Sequence, residues 1–465
     1  MKLTGKQKTA FGIGAIGKDM VYALSANYVM YYYQDVMGLS ATFVGLILMI
    51  ARIFDAANDP FMGIVVAKTR TKFGKFRPWI MTGTILNAFV LYALFAVPEG
   101  SGTGLMVYFA IAYILWGMTY TLMDIPYWSM IPAITETPSD RENLSVVGRT
   151  CAGVGAAIMA VGTMLAVGFF GGDSERVGFK YVGLIVSIVF VVAELICCLN
   201  VKERKDSSME TTTVKTMFKS LFSNDQALIV VLDIVLINIA LYITSNLIIY
   251  FFKYDVGGGG WKGNYTLFST LGGGFQILGM MALYPILRKK LSNTAIFKTA
   301  LGMAVGGYVL ILALCAFGLS GSVIAICIPG IIVFAANGLL SVLTTVFLSN
   351  SVDYGQLKTG HREESVIFSM QTFVYKLASG VSAFIAGIGL DMIGLVGNSE
   401  EEGVIAQQST STIWGLRLLM TIFPILMLIL AFFFFRSKFK LTDEVVEQNA
   451  ALLKEKSGLE EGKDA

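Results

Sequence analysis

Acidic and amide side chains recur along one apolar segment at intervals suited to binding a cation. The segment ARIFDAANDP carries Asp55, Asn58 and Asp59. On a helix the two carboxylates lie one turn apart on the same face, with the amide one step around. Two such carboxylates repel each other unless a cation or a proton lies between them, and a small hard cation takes several oxygen ligands. The spacing therefore favours a cation site. The alternative is that Arg52 neutralises Asp55 while the other acid stays protonated.

A second apolar segment, MTYTLMDIPYWSM, carries Tyr120, Asp124 and Trp128 at intervals of four residues. A helix places these three side chains in one stripe. A carboxylate accepts hydrogen bonds from two sugar hydroxyls while an aromatic ring covers the apolar face of the sugar. The stripe is typical of a sugar site. Equally, Trp128 lies near the end of its segment, where Trp and Tyr collect at membrane interfaces.

Further ionisable residues stand inside apolar segments. They are Lys18, Asp19, Arg149 and Lys376. Each costs about 2.5–3.5 kcal/mol in lipid unless it is buried or paired, so such residues usually mark a functional site. The basic ones oppose the acids above in sign, and Lys376 can pair with them if its segment faces theirs. His361, in KTGHREES, is expected to be a solvated loop residue.

The composition indicates a membrane protein. Of the 465 residues, 55% are hydrophobic and 14% charged, with a mean hydropathy of +0.69. Soluble domains carry about a quarter charged residues, and apolar runs near 20 residues recur here. The net charge of +3 and scattered lysines argue against nucleic acid. With no metal-ligand spacing, phosphate loop or nucleophile elbow, the chain is predicted not to be an enzyme and to need no cofactor. The N-terminal segment lacks a small-residue cleavage site and is expected to be a retained span.

Twelve spans of transmembrane length are predicted. Their approximate limits are 10–36, 41–66, 78–98, 105–133, 147–171, 178–200, 226–252, 264–287, 294–317, 322–350, 366–396 and 410–435. The polar stretch 201–225 divides the chain into six-span halves at 1–200 and 226–436. In the tail, 437–465, the run LTDEVVEQNAALLKEK is predicted to form an amphipathic helix.

Lysine and arginine in the loops predict the orientation. The basic stretches are 67–77, 201–225, 288–298 and the start of the tail, whereas 98–104 and 318–321 lack Lys and Arg and 391–409 is acidic. An even span count puts all basic stretches and both termini on one side, which is cytoplasmic by the positive-inside rule. Basic loops follow the second and the eighth span, which hints at a six-span repeat. An all-α fold of two six-helix halves is the architecture of the major facilitator superfamily.

Several segments closely resemble the glycoside-pentoside-hexuronide:cation symporter family, in particular its melibiose carriers. They are FGIGAIGKD, MYYYQDVMGLS, ARIFDAANDPFMG, FGKFRPWI and YILWGMTYTLMDIPYWSMIPAIT, with VDYG (352–355) and SMQTFVYKLASG (369–380) as anchors in the second half. The resemblance is nearly continuous over residues 10 to about 150. It implies symport of a galactoside such as melibiose by alternating access in the bacterial inner membrane. The coupling cation is expected to be Na⁺, with Li⁺ or H⁺ as alternatives.

The resemblance also implies residue roles. The residues matching the family's sodium site are Asp55, Asn58, Asp59 and Thr121. Those matching its sugar site in the first half are Lys18, Asp19, Tyr120, Asp124, Trp128 and Arg149. Those matching the eleventh helix, which turns toward sugar and cation, are Gln371, Thr372 and Lys376.

The chain departs from the melibiose-carrier pattern at two positions. Ser341 stands where the family has a tryptophan near the sugar, and Asn350 stands where it has an aspartate. Because the aromatic wall is lost, the substrate can also be another glycoside, a pentoside or a hexuronide. Retention of Asp19 and Asp124 favours a neutral glycoside, whereas a hexuronide requires a cation such as Arg149. A facilitator of a non-sugar solute, and a sensor or channel on the same scaffold, are the rival classes.

Overall fold

The protein is almost entirely helical in the part that the structure describes. A computed structural model describes residues 4–98, 102–135, 138–201, 203, 214–360, 364–397 and 405–461. Within these ranges, extended pairing is limited to one isolated bridge between Thr71 and Gly74.

The described residues form fifteen α-helices in chain order. They are α1 Gly5–Tyr31, α2 Ala41–Lys68, α3 Arg77–Phe95, α4 Thr103–Ile134, α5 Pro138–Gly171, α6 Glu175–Asn200, α7 Val214–Ser223, α8 Asp225–Tyr250, α9 Trp261–Leu278, α10 Tyr284–Arg288, α11 Asn293–Ala316, α12 Val323–Thr359, α13 Glu364–Met392, α14 Thr410–Lys438 and α15 Asp443–Glu461. Three π-helical turns, Tyr32–Val36, Phe251–Val256 and Gly279–Leu283, continue α1 and α8 and join α9 to α10.

These helices match the predicted spans closely. Within the described ranges, eleven helices are long and apolar enough to cross a membrane. The first helix, α1, is not among them, although it is 27 residues long. It carries Lys18 and Asp19 in its middle, which lowers its hydropathy; Lys18 is buried and Asp19 is half-buried. The predicted tenth span is too short, because α12 continues to Thr359. The tail forms α15, as predicted.

Several of the helices begin with a side-chain cap. Thr4 and Gln7 make a reciprocal capping box at α1, and Ser40, Ser292 and Ser322 accept backbone N–H bonds at the starts of α2, α11 and α12. Each cap satisfies one of the amide groups that a helix leaves unpaired at its N-terminus.

The chain forms two compact units. Unit 1 comprises Met1–Thr211, Ile249–Thr270 and Ala383–Ile413, and unit 2 comprises Thr212–Ile248, Leu271–Ser382 and Trp414–Ala465. These boundaries cut across the second predicted half, so the division into six-span halves stays a prediction.

In unit 1, α1 packs against α5 and α6, while α4 packs against α2 and α3. Glycines permit the close approach of α1 and α6: a Cβ placed on Gly17 would lie 2.6 Å from the Cβ of Ala193. Small residues at such contacts let membrane helices pack backbone to backbone. Side chains of α1 also reach α4, because Lys18 contacts Asp124. In unit 2, α12 packs against α11 and α15.

Candidate functional site

Lys18 is the centre of an ionic cluster in unit 1. Its Nζ lies 2.7 Å from Oδ1 of Asp124 and 3.0 Å from Oδ2 of Asp19, and it donates to the hydroxyl of Tyr120 at 3.3 Å. The lysine side chain is 3% exposed, whereas the two aspartate side chains are 22% and 21% exposed. The lysine is thus buried and paired, and the carboxylates that hold it are partly accessible.

The indole ring of Trp128 lies close to Lys18 and to a second cation, Arg149. The Lys18 Nζ lies 4.9 Å from the centre of the Trp128 ring, and the guanidinium carbon of Arg149 lies 4.4 Å from it. Cations this close to an aromatic ring are attracted to its face. The structure therefore brings together all six residues predicted for the first-half sugar site. Acid acceptors, an aromatic surface and two cationic donors are the groups that grip a polyhydroxylated solute.

A second cluster lies where α2 meets α4. The Thr121 hydroxyl donates to Oδ1 of Asp59 at 3.3 Å. One turn earlier on both helices, Asp55 abuts Gly117, where an added Cβ would lie 2.5 Å from Oδ1. Thus Asp55 and Asp59 both face α4, as their spacing predicts. Asn58 lies between them on α2, half-buried.

Arg52 is part of this second cluster. Its Nη1 lies 3.5 Å from Oδ2 of Asp55, and its guanidinium packs over the rings of Tyr22 and Trp116 at 5.1 and 5.7 Å. The pairing named in the sequence as the alternative to a cation site is therefore present. Arg52 therefore already occupies one carboxylate oxygen of this cluster.

The side chains of this cluster that could hold a cation offer only oxygen atoms. Among the described residues, no group of three or more His, Cys, Asp or Glu side chains is placed to hold a metal. A cation here would rely on two carboxylates with hydroxyl and amide oxygens. Oxygen-only donors suit hard ions and not the transition metals, which prefer nitrogen or sulfur.

The residues predicted from the eleventh helix lie on α13 in unit 2. The Gln371 amide donates to the hydroxyls of Thr345 and Tyr375, each at 3.2 Å. Thr345 in turn donates to the backbone carbonyl of Ser341 at 3.1 Å. Ser341, which replaces the family's tryptophan, is therefore two hydrogen bonds from Gln371. The same helix carries Thr372, which is exposed, and Lys376, which is half-buried.

Some of the residues discussed from the sequence lie outside the part of the chain that the structure describes. His361 and the acidic residues 400–402 lie outside the described residues, as do Lys202, Arg204 and Lys205 of the central loop.

Unit 1 contains a buried ionic cluster, at the ends of several helices, that was not predicted from the sequence. Lys253 lies 2.5 Å from Oδ2 of Asp35 and donates to the Tyr31 hydroxyl at 2.7 Å. Glu175 joins the cluster by accepting from Tyr31 at 2.5 Å and pairing with Lys262 at 3.0 Å. These residues lie near the ends of predicted spans, where charged residues are common and do not indicate a site.

Two buried acids in the middle of spans were missed as well. Glu194 on α6 is fully buried, and Asp233 on α8 is 1% exposed. A single acid inside an apolar run was the available signal, because such residues are costly in lipid.

The sequence is similar to those of known sugar transporters. The family model described as MFS/sugar transport protein matches residues 10–443. The symporter YjmB of Bacillus subtilis is 31% identical over 98% of this chain and 96% of its own length. The isoprimeverose transporter of Lactiplantibacillus pentosus is 30% identical over 84% and 81%, and the raffinose carrier protein of Pediococcus pentosaceus is 26% identical over 93% and 69%.

A solved bacterial homologue of the human lysosomal transporter Spinster superposes with a TM-score of 0.69 over 96% of this chain and 97% of its own, at 12% identity. That likeness shows the fold alone, which is the major facilitator superfamily fold predicted from the sequence. The family and fold are those of transporters and not of enzymes, as predicted. The chain therefore belongs to the MFS/sugar transport protein family, as a multi-span membrane sugar transporter.

Proposed function

We propose that this transporter is a cation-coupled symporter of a neutral glycoside, with a galactoside such as melibiose as the first candidate. The observation that carries the proposal is the cluster in which buried Lys18 joins two partly exposed carboxylates under Trp128. Hydroxyl groups of a sugar can replace the lysine at those carboxylates while the indole covers an apolar sugar face. The names of the raffinose and isoprimeverose relatives support a glycoside.

The coupling ion is proposed to be Na⁺, with Li⁺ or H⁺ as alternatives. Asp55 and Asp59, which both face α4 from α2, favour a bound cation. Oxygen donors on Asn58 and Thr121 favour a metal ion, because a proton needs no further ligands. A cation arriving here would compete with Arg52 for Asp55, which lies 3.5 Å from it.

One helix, α4, carries residues of both clusters. Thr121 contacts Asp59 in the cation cluster, and Asp124, three residues later, contacts Lys18 in the sugar cluster. A shift of α4 that improves one set of contacts therefore changes the other. Coupling between two such sites is typically about 1–3 kcal/mol and is reciprocal, so that sugar tightens cation binding by the factor by which the cation tightens sugar binding.

The transport cycle is proposed to be alternating access in a bacterial inner membrane. The basic stretches of the sequence support cytoplasmic termini. In this scheme only the protein with both sites filled or both empty changes its exposed side. A hexuronide remains the second candidate substrate, because exposed Arg149 beside Trp128 can meet a sugar carboxylate.

The test is uptake into proteoliposomes with an inward Na⁺ gradient against a matched choline gradient. The probes are labelled melibiose, a β-galactoside, a pentoside and a hexuronide. We expect sodium-dependent accumulation of at least one neutral glycoside, loss of that accumulation in Asp124→Asn, and no loss in Lys180→Met, which removes an exposed charge on α6. Equal uptake with choline would refute sodium coupling, and no uptake of any of the neutral glycosides would refute the proposed substrate class.

A further inference from the structure

A buried carboxyl group, that of Glu194, lies near the Lys18 cluster. Glu194 of α6 is fully buried, and within the described part of the chain neither of its carboxyl oxygens has a hydrogen-bond partner. Its Oε2 approaches α1 at Gly14, where an added Cβ would lie 3.2 Å from that oxygen and 3.0 Å from the Tyr127 ring. Gly14 precedes Lys18 by one helical turn, so Glu194 and the lysine occupy the same face of α1.

Among the residues that the structure describes, no basic group hydrogen-bonds to the Glu194 carboxyl. The charged and titratable groups that face it are Lys18 and Asp19 on α1, Asp124 and Tyr127 on α4, and Cys197 and Cys198 on its own helix. Lys18 is already held by the two aspartates. The Tyr127 hydroxyl is used as well, because it donates to the backbone carbonyl of Phe11.

An ionised carboxylate in this position would be strongly unfavourable. Burying a charge without a partner costs so much free energy that the group takes up a proton instead. A carboxylate on Glu194 would also add a second net negative charge beside Lys18, Asp19 and Asp124. The neutral acid removes both costs.

We propose that Glu194 is a proton-binding site that holds its proton while Lys18 is paired with Asp19 and Asp124, and releases it when sugar takes those carboxylates. The sugar hydroxyls then donate to the aspartates, and the freed ammonium turns back along α1 to pair with the Glu194 carboxylate. One O–H bond of the acid breaks, and its proton passes to water. The proton site itself follows from the burial and contacts of Glu194, and its link to sugar rests on the proposed function.

The sign of the linkage follows from this exchange. Since sugar binding expels a proton, sugar affinity rises as the pH rises through the titration of Glu194, by at most about tenfold per pH unit for one proton. Glu194→Gln cannot ionise and corresponds to the protonated form. Its sugar affinity is therefore expected to stay at the low-pH value of the wild type at every pH.

The proton site is tested without sugar, by infrared difference spectroscopy of the purified protein in lipid nanodiscs. The pH is stepped from about 5 to about 9, because buried glutamates titrate as high as about pH 8–9. The matched control is Asp233→Asn, since Asp233 is another buried acid with neither carboxyl oxygen hydrogen-bonded, and it lies in the other unit. We expect the wild type to show C=O bands of two protonated carboxyls, because Asp233 is buried in the same way as Glu194. Glu194→Gln should lose the Glu194 component, and Asp233→Asn should keep that component and lose only its own. An unchanged band in Glu194→Gln would overturn the proposal.

The link to sugar is tested by calorimetric titration over the same pH range with the glycoside identified in the uptake assay. A flat profile in Glu194→Gln against a rising one in the wild type and in Asp233→Asn supports the link, and equal slopes in all three overturn it. If no probe sugar binds at any pH, the proposed function and the link fail together. The infrared band still decides the proton site in that case.

Discussion

Gly117 is predicted to set the position of a cation ligand. An alanine Cβ at this position would lie 2.5 Å from Oδ1 of Asp55 and 3.3 Å from its Cγ. An ordinary non-bonded contact is about 3.5 Å, so Gly117→Ala requires the carboxylate to retreat by roughly 1 Å. Asp55 is short and 5% exposed, with Arg52 on its other side, and it has little room to retreat.

The size of the effect follows from this overlap. Overpacking in a well-packed interior costs about 1–3 kcal/mol. In the cation-free variant, Asp55 relieves the overlap by moving away. If the cation needs Asp55 in its present position, cation binding must restore the overlap and so loses the overpacking energy. A penalty of about 1–3 kcal/mol corresponds to about 5- to 150-fold weaker binding. We therefore expect the Na⁺ affinity of Gly117→Ala to fall by a factor in this range.

The assay is calorimetric titration of purified protein with NaCl in choline chloride, supported by the Na⁺-induced rise in thermal stability. The control is Gly104→Ala on the same helix, where an added Cβ would meet no atom within 4 Å. Gly104→Ala should bind Na⁺ as the wild type does. An affinity of Gly117→Ala within about twofold of the wild type would refute the placement of the cation at Asp55. An equal loss in both variants would show that the effect is not local.

Two further predictions concern stability, measured as thermal unfolding of the purified protein in detergent. Lys253→Met leaves fully buried Asp35 without its cation and should lower the free energy of unfolding by about 3–5 kcal/mol. Lys262→Met, which removes a lysine that is 23% exposed, should cost much less, and equal losses would contradict the reasoning. Glu203 accepts the N–H groups at the start of α3, so Glu203→Gln should cost about 1–2 kcal/mol. Glu444→Gln on exposed α15 should cost nothing measurable, and a stable Glu203→Gln would show that the cap is dispensable.

The local pattern of the sequence was sufficient for the helices and for contacts between neighbouring turns. Apolar runs near 20 residues gave span limits that the helices match, because a bilayer fixes the length of an apolar helix. The spacing of Asp55 and Asp59 predicted a shared face, and both face α4. Such features depend only on the helical repeat and on burial, which are local properties.

Contacts between distant segments were decided by the tertiary structure. The family resemblance grouped Lys18 with Asp124, but only the packing of α1 beside α4 makes this lysine the shared partner of Asp19 and Asp124. The pairing of Asp35 with Lys253 joins residues 218 positions apart, and no periodicity connects them.

Glu194 illustrates both the contribution of the sequence and that of the tertiary structure. The sequence alone places an acid in an apolar helix, where it is costly and therefore notable. Whether that acid is paired depends on which helix covers it, and α1 covers it with Gly14, which has no side chain to offer. Burial without a hydrogen-bond partner among the described residues, on which the proposed proton site rests, is therefore a property of the packing and not of the sequence pattern.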